Sequence, residues 1–311
     1  MLALRPDSAD AVASWTPGYP LDLRATLAPL RRGPGDPTMA VAADGAVWRT
    51  SRMITGPVTY RLRWQDAGAV TAEVWGPGSG ELIERLPALL GADDDPSGFA
   101  PEYELLRDAH RRHPGLRIGR TDRVFEALVP AVLEQKVTGT QAFGAWRRLV
   151  RQFGSAAPGP AGDRLRVVPD AETWRRVPSW DWHRAGVEPS ASRTVVAAAR
   201  VAPRLEECAA LPAADAARRL RSLPGIGPWT VAEIAQRAFG DADALSVGDY
   251  HLSDVVGWAL LGRPIDDAAM VELLEPVRPH RYRAVRLLGL TPAARKPRFG
   301  PRLTIQDHRG H

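Results

Sequence analysis

Leu223-Pro224-Gly225-Ile226-Gly227-Pro228-Trp229-Thr230, with Gly248-Asp249-Tyr250-His251-Leu252 a short way downstream, are the stretches around which this chain is organised. The first reads as a tight turn between two helices. Ala213 to Ser222 is rich in Ala, Leu and Arg, all good helix formers. Pro224 stops that helix, and Gly225 and Gly227 permit positive φ and close backbone approach. Trp229 opens the second helix, in which Val231, Ile234, Ala235 and Ala238 are spaced for one buried face. Such a turn aims several N–H groups at one point beside a helix N-terminus, where a phosphate is held. An ordinary helix connection has the same local sequence, so the turn alone leaves two readings. Asp249 stands where a further helix, 249–261, is expected to begin. An N-cap and a functional anion are both compatible with that place, because the helix dipole favours negative charge there.

Taken together, the two stretches resemble the helix-hairpin-helix DNA glycosylases, and within them the bacterial alkylpurine branch, 3-methyladenine DNA glycosylase II. In that branch too a Trp follows the hairpin and an Asp-Tyr pair carries the catalytic carboxylate. The resemblance is strong over roughly 120–290, weak over 15–90 and absent at the two ends. It implies that Asp249 stabilises an oxocarbenium-like sugar while the N-glycosidic bond is cleaved, leaving an abasic site. Bifunctional members carry a Schiff-base lysine where this chain has Trp229, so a monofunctional hydrolase without lyase activity is expected. Trp229 is the first base-pocket candidate and Tyr250 the second, since electron-rich faces favour cationic alkylated purines. On spacing alone, core packing explains Trp229 equally well. Glu233 stands where relatives carry an aromatic residue, and either contacts the base or is a solvated helix residue. His280, in Pro279-His280-Arg281-Tyr282-Arg283-Ala284, stands where relatives stack a Trp on the flipped base, and either lines the pocket or faces solvent.

Two further matches concern DNA. Val132-Leu133-Glu134-Gln135-Lys136-Val137-Thr138 resembles the family segment that enters the minor groove, placing Gln135 and Lys136 at the wedge that fills the gap left by a flipped nucleotide. Relatives often have an apolar residue there, whereas Lys136 is a cation suited to phosphate or to the opposite strand. The hairpin implies DNA-facing N–H groups from Gly225, Gly227 and Thr230. It also implies a Na⁺ or K⁺ on the carbonyls of Arg221, Leu223 and Ile226, with no other cofactor required. The expected function is excision of alkylated purines, 3-methyladenine and 7-methylguanine first, from damaged double-stranded DNA at the start of base-excision repair. Two alternatives stand: a glycosylase for an oxidised or deaminated base, and a non-catalytic helix-hairpin-helix DNA-binding protein.

The 311 residues suffice for two or three domains. With 44% apolar and 25% charged residues the composition is that of a globular protein, and the formal charge of +5 suits a polyanionic partner. Lys136 and Lys296 are its only lysines, so the positive charge is nearly all arginine. The single cysteine, Cys208, excludes an internal disulfide framework and the four-cysteine iron–sulfur cluster of some relatives. No apolar run approaches membrane-spanning length and no signal segment opens the chain, so a cytoplasmic, nucleoid-associated monomer is expected.

The fold class read from the sequence is α+β. Residues 1–98 form a mixed α/β N-terminal domain and linker, 99–294 an all-α helix-hairpin-helix glycosylase domain, and 295–311 a basic tail. Residues 1 to about 14 read as a loose lead-in. Leu21 to Leu30 reads as a short helix, and Ala46–Ser51, Val58–Trp64 and Val70–Val74 as strands. In the second of these, Tyr60, Leu62 and Trp64 alternate with polar residues. A helix is expected over Glu81–Leu90, and Gly91 to Gly98, with Asp93, Asp94 and Asp95, reads as a solvated linker. Helices are expected thereafter over about 100–112, 122–136, 139–153, 170–176, 189–202, 213–222, 229–239, 249–261, 266–276 and 279–289.

Overall fold

The computed structural model describes residues 8–65 and 68–294, and the basic tail from Arg295 lies outside the described residues. Five antiparallel strands form one sheet: β1 (Ala11–Trp15), β2 (Met39–Val41), β3 (Val47–Met53), β4 (Gly56–Trp64) and β5 (Val70–Trp75), in the spatial order β1-β5-β4-β3-β2. The register follows from the alternation in β4. Tyr60 pairs with Arg49 and Val74, and Leu62 with Val47 and Ala72, so the apolar members of three strands share one face. Leu23, Leu27, Leu82, Leu86 and Leu89 cover that face from the helices Leu23–Leu27 and Ser79–Leu89. Each such leucine contributes about 1.5–3 kcal/mol on burial.

Three expectations for this region need correction. The segment read as a loose lead-in contains β1, an edge strand running antiparallel to β5 from Ala11↔Val74 to Trp15↔Val70. Its five residues alternate between half-buried and exposed, a pattern too short and too weakly apolar to stand out. Trp64, expected to share the buried face of β4, is 45% exposed at the strand's end. The acidic linker is not uniformly solvated. The Asp94 side chain is buried, ion-paired with Arg283, and accepts a hydrogen bond from the Ile118 amide at 3.0 Å.

The remainder is helical, apart from a hairpin of β6 (Ser155–Ala157) and β7 (Gly162–Val167) for which the sequence reading has no element. Two apolar clusters organise the helices. One contains Val124, Leu128, Leu149, Val195, Leu220 and Ile234. The other contains Phe99, Leu106, Val256, Leu274, Ala284 and Leu287, and reaches Ala25 beside the sheet. A cavity is lined by side chains of elements from both clusters. The α+β class is therefore observed, with sheet and helices following one another along the chain.

Candidate active site

The helix Ala213–Arg221 ends at Ser222, and the helix Pro228–Ile234 begins with Pro228 in its first turn, where a missing N–H costs nothing. Between them the chain turns on Gly225, whose φ is +87°. The Ile226 amide donates to the Leu223 carbonyl at 3.2 Å. The Pro224 carbonyl accepts from the Thr194 hydroxyl at 3.2 Å. Gln135 joins this turn to the 132–138 segment: its Nε2 donates to the Gly225 carbonyl at 2.9 Å and to Thr230 Oγ1 at 2.8 Å. The amides of Gly225, Gly227 and Thr230 donate to no group among the described residues. Lys136, next to Gln135, is exposed and held at a φ of +56°. The two stretches matched separately in the sequence are thus one surface.

Asp249 lies beside that surface. The helix expected from 249 begins instead at Leu252, because Gly248 takes a φ of +89° and the following residues form a turn. Asp249 caps it from outside. Its Oδ1 accepts from the amides of His251 at 2.9 Å and Leu252 at 3.0 Å. Its Oδ2 accepts from the Trp229 indole N–H at 3.2 Å. Three N–H donors thus converge on a half-buried carboxylate at a helix start.

Asp249 borders a cavity of about 460 Å³. The structure brings only part of the expected base pocket to its wall. Glu233 lines it, but is neither solvated nor open to a base. Its Oε2 meets Arg237 at 2.8 Å, and its Oε1 accepts from Ser246 Oγ at 2.6 Å. Burial alone raises the Glu233 carboxyl, yet Arg237, Ser246 and Arg32 together hold it below the ordinary carboxylate range. Arg237 also donates to the Pro29 carbonyl at 3.0 Å. Arg32 in turn pairs with Glu134 at 2.9 Å, beside Gln135.

Trp229, Tyr250 and His280 do not line this cavity. Trp229 spends its indole N–H on Asp249 instead. Tyr250 is 78% exposed, its ring edge-on to His251 at 4.8 Å. His280 is buried elsewhere, 5.8 Å edge-on from Phe99 and next to Arg283. Burial, then the Arg283 charge, lowers its pKa. The aromatic ring that does line the cavity is Tyr282. At about 100° per residue, positions two apart at a helix start face nearly opposite ways, so the two side chains part company. His251, Arg237 and Arg286 complete the polar wall. The sequence reading missed Tyr282 and His251 as lining residues, although each lies within a motif it had singled out. Arg286 was not among the expected pocket residues either.

Among the described residues no group of three or more His, Cys, Asp or Glu is placed to hold a metal ion. No described helix is long and apolar enough to cross a membrane.

No family model matches the chain. It is 31% identical over 212 residues to a probable bifunctional transcriptional activator/DNA repair enzyme AlkA of Mycobacterium tuberculosis, covering 67% of this chain and 39% of that protein. It is 25% identical over 182 residues to a DNA-3-methyladenine glycosylase of Bacillus subtilis, covering 55% of this chain and 59% of that one. The chain therefore spans less than two thirds of the length of these curated relatives. In fold it is similar to a 3-methyladenine DNA glycosylase from Archaeoglobus fulgidus, with a TM-score of 0.72 at 16% identity over 89% of this chain and 97% of that one.

Proposed function

We propose that this chain is a helix-hairpin-helix DNA glycosylase, similar in sequence to the 3-methyladenine glycosylases, and that it excises alkylated purines from double-stranded DNA by hydrolysis. The observation that carries this reading is the Asp249 carboxylate, held by three N–H donors between the open hairpin and the cavity. The amides of Gly225, Gly227 and Thr230 receive a phosphate, and Lys136 adds a cation on the same side. Gln135 fixes the 132–138 segment to the hairpin, so backbone grip and wedge move together. The damaged nucleotide leaves the stack, at a cost of a few kcal/mol. Its base enters the cavity, and its sugar comes to rest against Asp249.

Positive charge grows at C1′ as the glycosidic bond lengthens, and a fixed anion is most effective where such charge develops. Asp249 then orients the attacking water. No lysine lines the cavity, and Trp229 occupies the place that the lyases give to their nucleophile, so no Schiff base forms and the strand stays intact. A Na⁺ or K⁺ on the hairpin belongs to the same proposal. The Pro224 and Gly225 carbonyls are taken by Thr194 and Gln135, which leaves those of Arg221 and Ile226 and one lone pair of Leu223 for the ion. Such an ion would add positive charge at the turn, where a phosphate is to be held. The protein acts as a monomer, with residues 1–98 and 99–294 as its two domains.

The test is base release from methylated duplex DNA. The wild type should free methylpurine without nicking the strand until alkali is added. Asp249→Asn should release it about a hundredfold more slowly or worse. Equal release by the variant would remove Asp249 from the chemistry, and nicking without alkali would overturn the monofunctional reading.

A further inference from the structure

The 132–138 segment, which carries Gln135 and Lys136, joins the helices Val124–Leu133 and Gly139–Phe153, and a single turn of the chain, residues 31–38, holds both helices. Arg32, only 5% exposed, pairs with Glu134 at 2.9 Å, directly after the first helix. On the second helix the Trp146 indole N–H donates to Asp36 Oδ1 at 3.1 Å, and Arg147 Nη1 donates to the Pro34 carbonyl at 2.6 Å. The Phe143 ring packs so closely on Gly33 that a Cβ there would fall 2.3 Å from it. The turn is itself closed by Asp36. Its Oδ2 accepts from the Arg32 amide at 2.6 Å, and its Oδ1 also accepts from the Thr38 amide at 2.9 Å and hydroxyl at 2.8 Å.

Lys136 has a φ of +56°, a conformation that a residue with a side chain keeps only where its surroundings impose it. Two ties impose it here. Gln135 is bonded to the hairpin, and Glu134, the residue before it, is bonded to the 31–38 turn. A side chain that enters a base stack loads its own loop, and a loop held from one side only would recoil. We propose that the 31–38 turn is the rest against which the 132–138 segment bears, and that Arg32 is its positioning residue, fixing Gln135 and Lys136 through Glu134 while the damaged nucleotide leaves the duplex. The inference rests on the glycosylase reading above and adds a residue to it. Arg32 is buried and does not line the cavity beside Asp249, so it acts on extrusion of the nucleotide and not on cleavage of the bond.

The experiment compares wild type, Arg32→Met and Arg32→Lys on two duplexes under single-turnover conditions, each duplex carrying a single 7-methylguanine. In one the base is paired with cytosine. In the other it stands opposite an abasic-site analogue, so no pair is broken on extrusion and less is asked of the wedge. The backbone amide of residue 32 keeps its bond to Asp36 in every variant, so the substitutions remove the ion pair and leave the turn closed. The readout is the ratio of paired to unpaired release within each preparation, in which any unfolded fraction cancels. A disturbance of the cavity through Glu233, which also feels the Arg32 charge, slows both duplexes alike and leaves the ratio unmoved. The ratio should fall about tenfold in Arg32→Met, the size expected for loss of a charged hydrogen bond, and recover in part in Arg32→Lys. An unchanged ratio in Arg32→Met overturns the assignment. Should that variant not fold, Glu134→Ala removes the same pair from its half-buried end, and an unchanged ratio there overturns it equally. A wild type that releases the base from neither duplex overturns the glycosylase reading itself, so the two failures are told apart.

Discussion

The two sides of the candidate site are built by opposite means. The hairpin side is backbone: small residues, one left-handed glycine and amides turned outward with no partner among the described residues. The cavity side is charge largely taken out of water, with Glu233 and Arg32 buried and Arg237 half-buried, each within hydrogen-bonding reach of groups that neutralise or cap it. A surface that must accept a phosphate keeps its donors open. On the proposed reading, a wall that accepts a flat base keeps its own polar groups satisfied, as Glu233 and Arg237 are in their closed pair. Substitutions should therefore act on stability on the cavity side and on DNA contact on the hairpin side.

The sharpest way to break that division is Glu233→Gln. Arg32 is buried and keeps Glu134, but Arg237, only 13% exposed, loses its one carboxylate partner among the described residues when Glu233 is changed. Breaking a buried pair by removing one partner costs about 3–5 kcal/mol, and the Pro29 carbonyl bound to Arg237 offsets part of it. Denaturant unfolding should place Glu233→Gln about 3 kcal/mol below wild type. Glu233→Gln with Arg237→Met should regain much of the loss. Had Glu233 been a base-contacting residue with free oxygens, the single variant would fold as well as wild type and lose only activity.

On the hairpin side, two glycines give a matched comparison. A Cβ on Gly225 would fall 2.1 Å from Thr194 Oγ1, and its φ of +87° is one that L side chains rarely adopt. Gly225→Ala should thus cost about 1–3 kcal/mol and also disturb the Thr194 and Gln135 bonds that hold the turn. A Cβ on Gly227 meets nothing within 4 Å, and its φ of −97° is ordinary. Gly227→Ala should unfold like wild type yet bind duplex DNA more weakly, because the new methyl group stands where a phosphate approaches. Equal stability loss in both variants would mean that the turn is held by packing rather than by its backbone geometry.

The same division explains what could be read from the chain. Gly225, Gly227, Pro228 and Asp249 do their work within a few residues of sequence, and glycine and proline announce a turn wherever they stand. Gln135 was legible through its match, although not its bonds to Gly225 and Thr230, which need the two stretches folded together. The cavity wall draws on Pro29, Glu233, Arg237, Asp249, His251, Tyr282 and Arg286, brought together by separate helices. Glu233 reads either as base-contacting or as solvated until Ser246 and the charge of Arg32, some two hundred positions earlier, are brought to it. In the sheet, β3 to β5 were visible because their alternation is long, whereas β1 acquires its meaning only from pairing with β5. His280 was matched by position, but it is Tyr282, two residues on, that lines the cavity.

His280 supplies the smallest effect and tests whether its burial, away from the cavity, has been read correctly. Its ring lies edge-on to Phe99, which meets His110 edge-on at 5.2 Å, and Arg283, Asp94, Asp95 and Asp243 are the charged groups near it. Burial and Arg283 lower the pKa of His280, and burial followed by Arg283 lowers that of His110, against the acidic residues that oppose this at His280. Below the ordinary histidine value of about 6.5 the unfolded chain binds protons that the folded chain refuses, so stability falls as pH drops. The contribution is complete above that pH and fades below it. Glu233 is held below the ordinary carboxylate range and stays ionised through this interval, so it does not share the effect. The melting temperature of the wild type should therefore decline from about pH 6.5 towards 5. His280→Gln, which cannot take up the proton, should decline less steeply, with His110 accounting for the slope that remains. Were His280 instead an open cavity residue, its protonation would cost the fold nothing and the two profiles would run parallel.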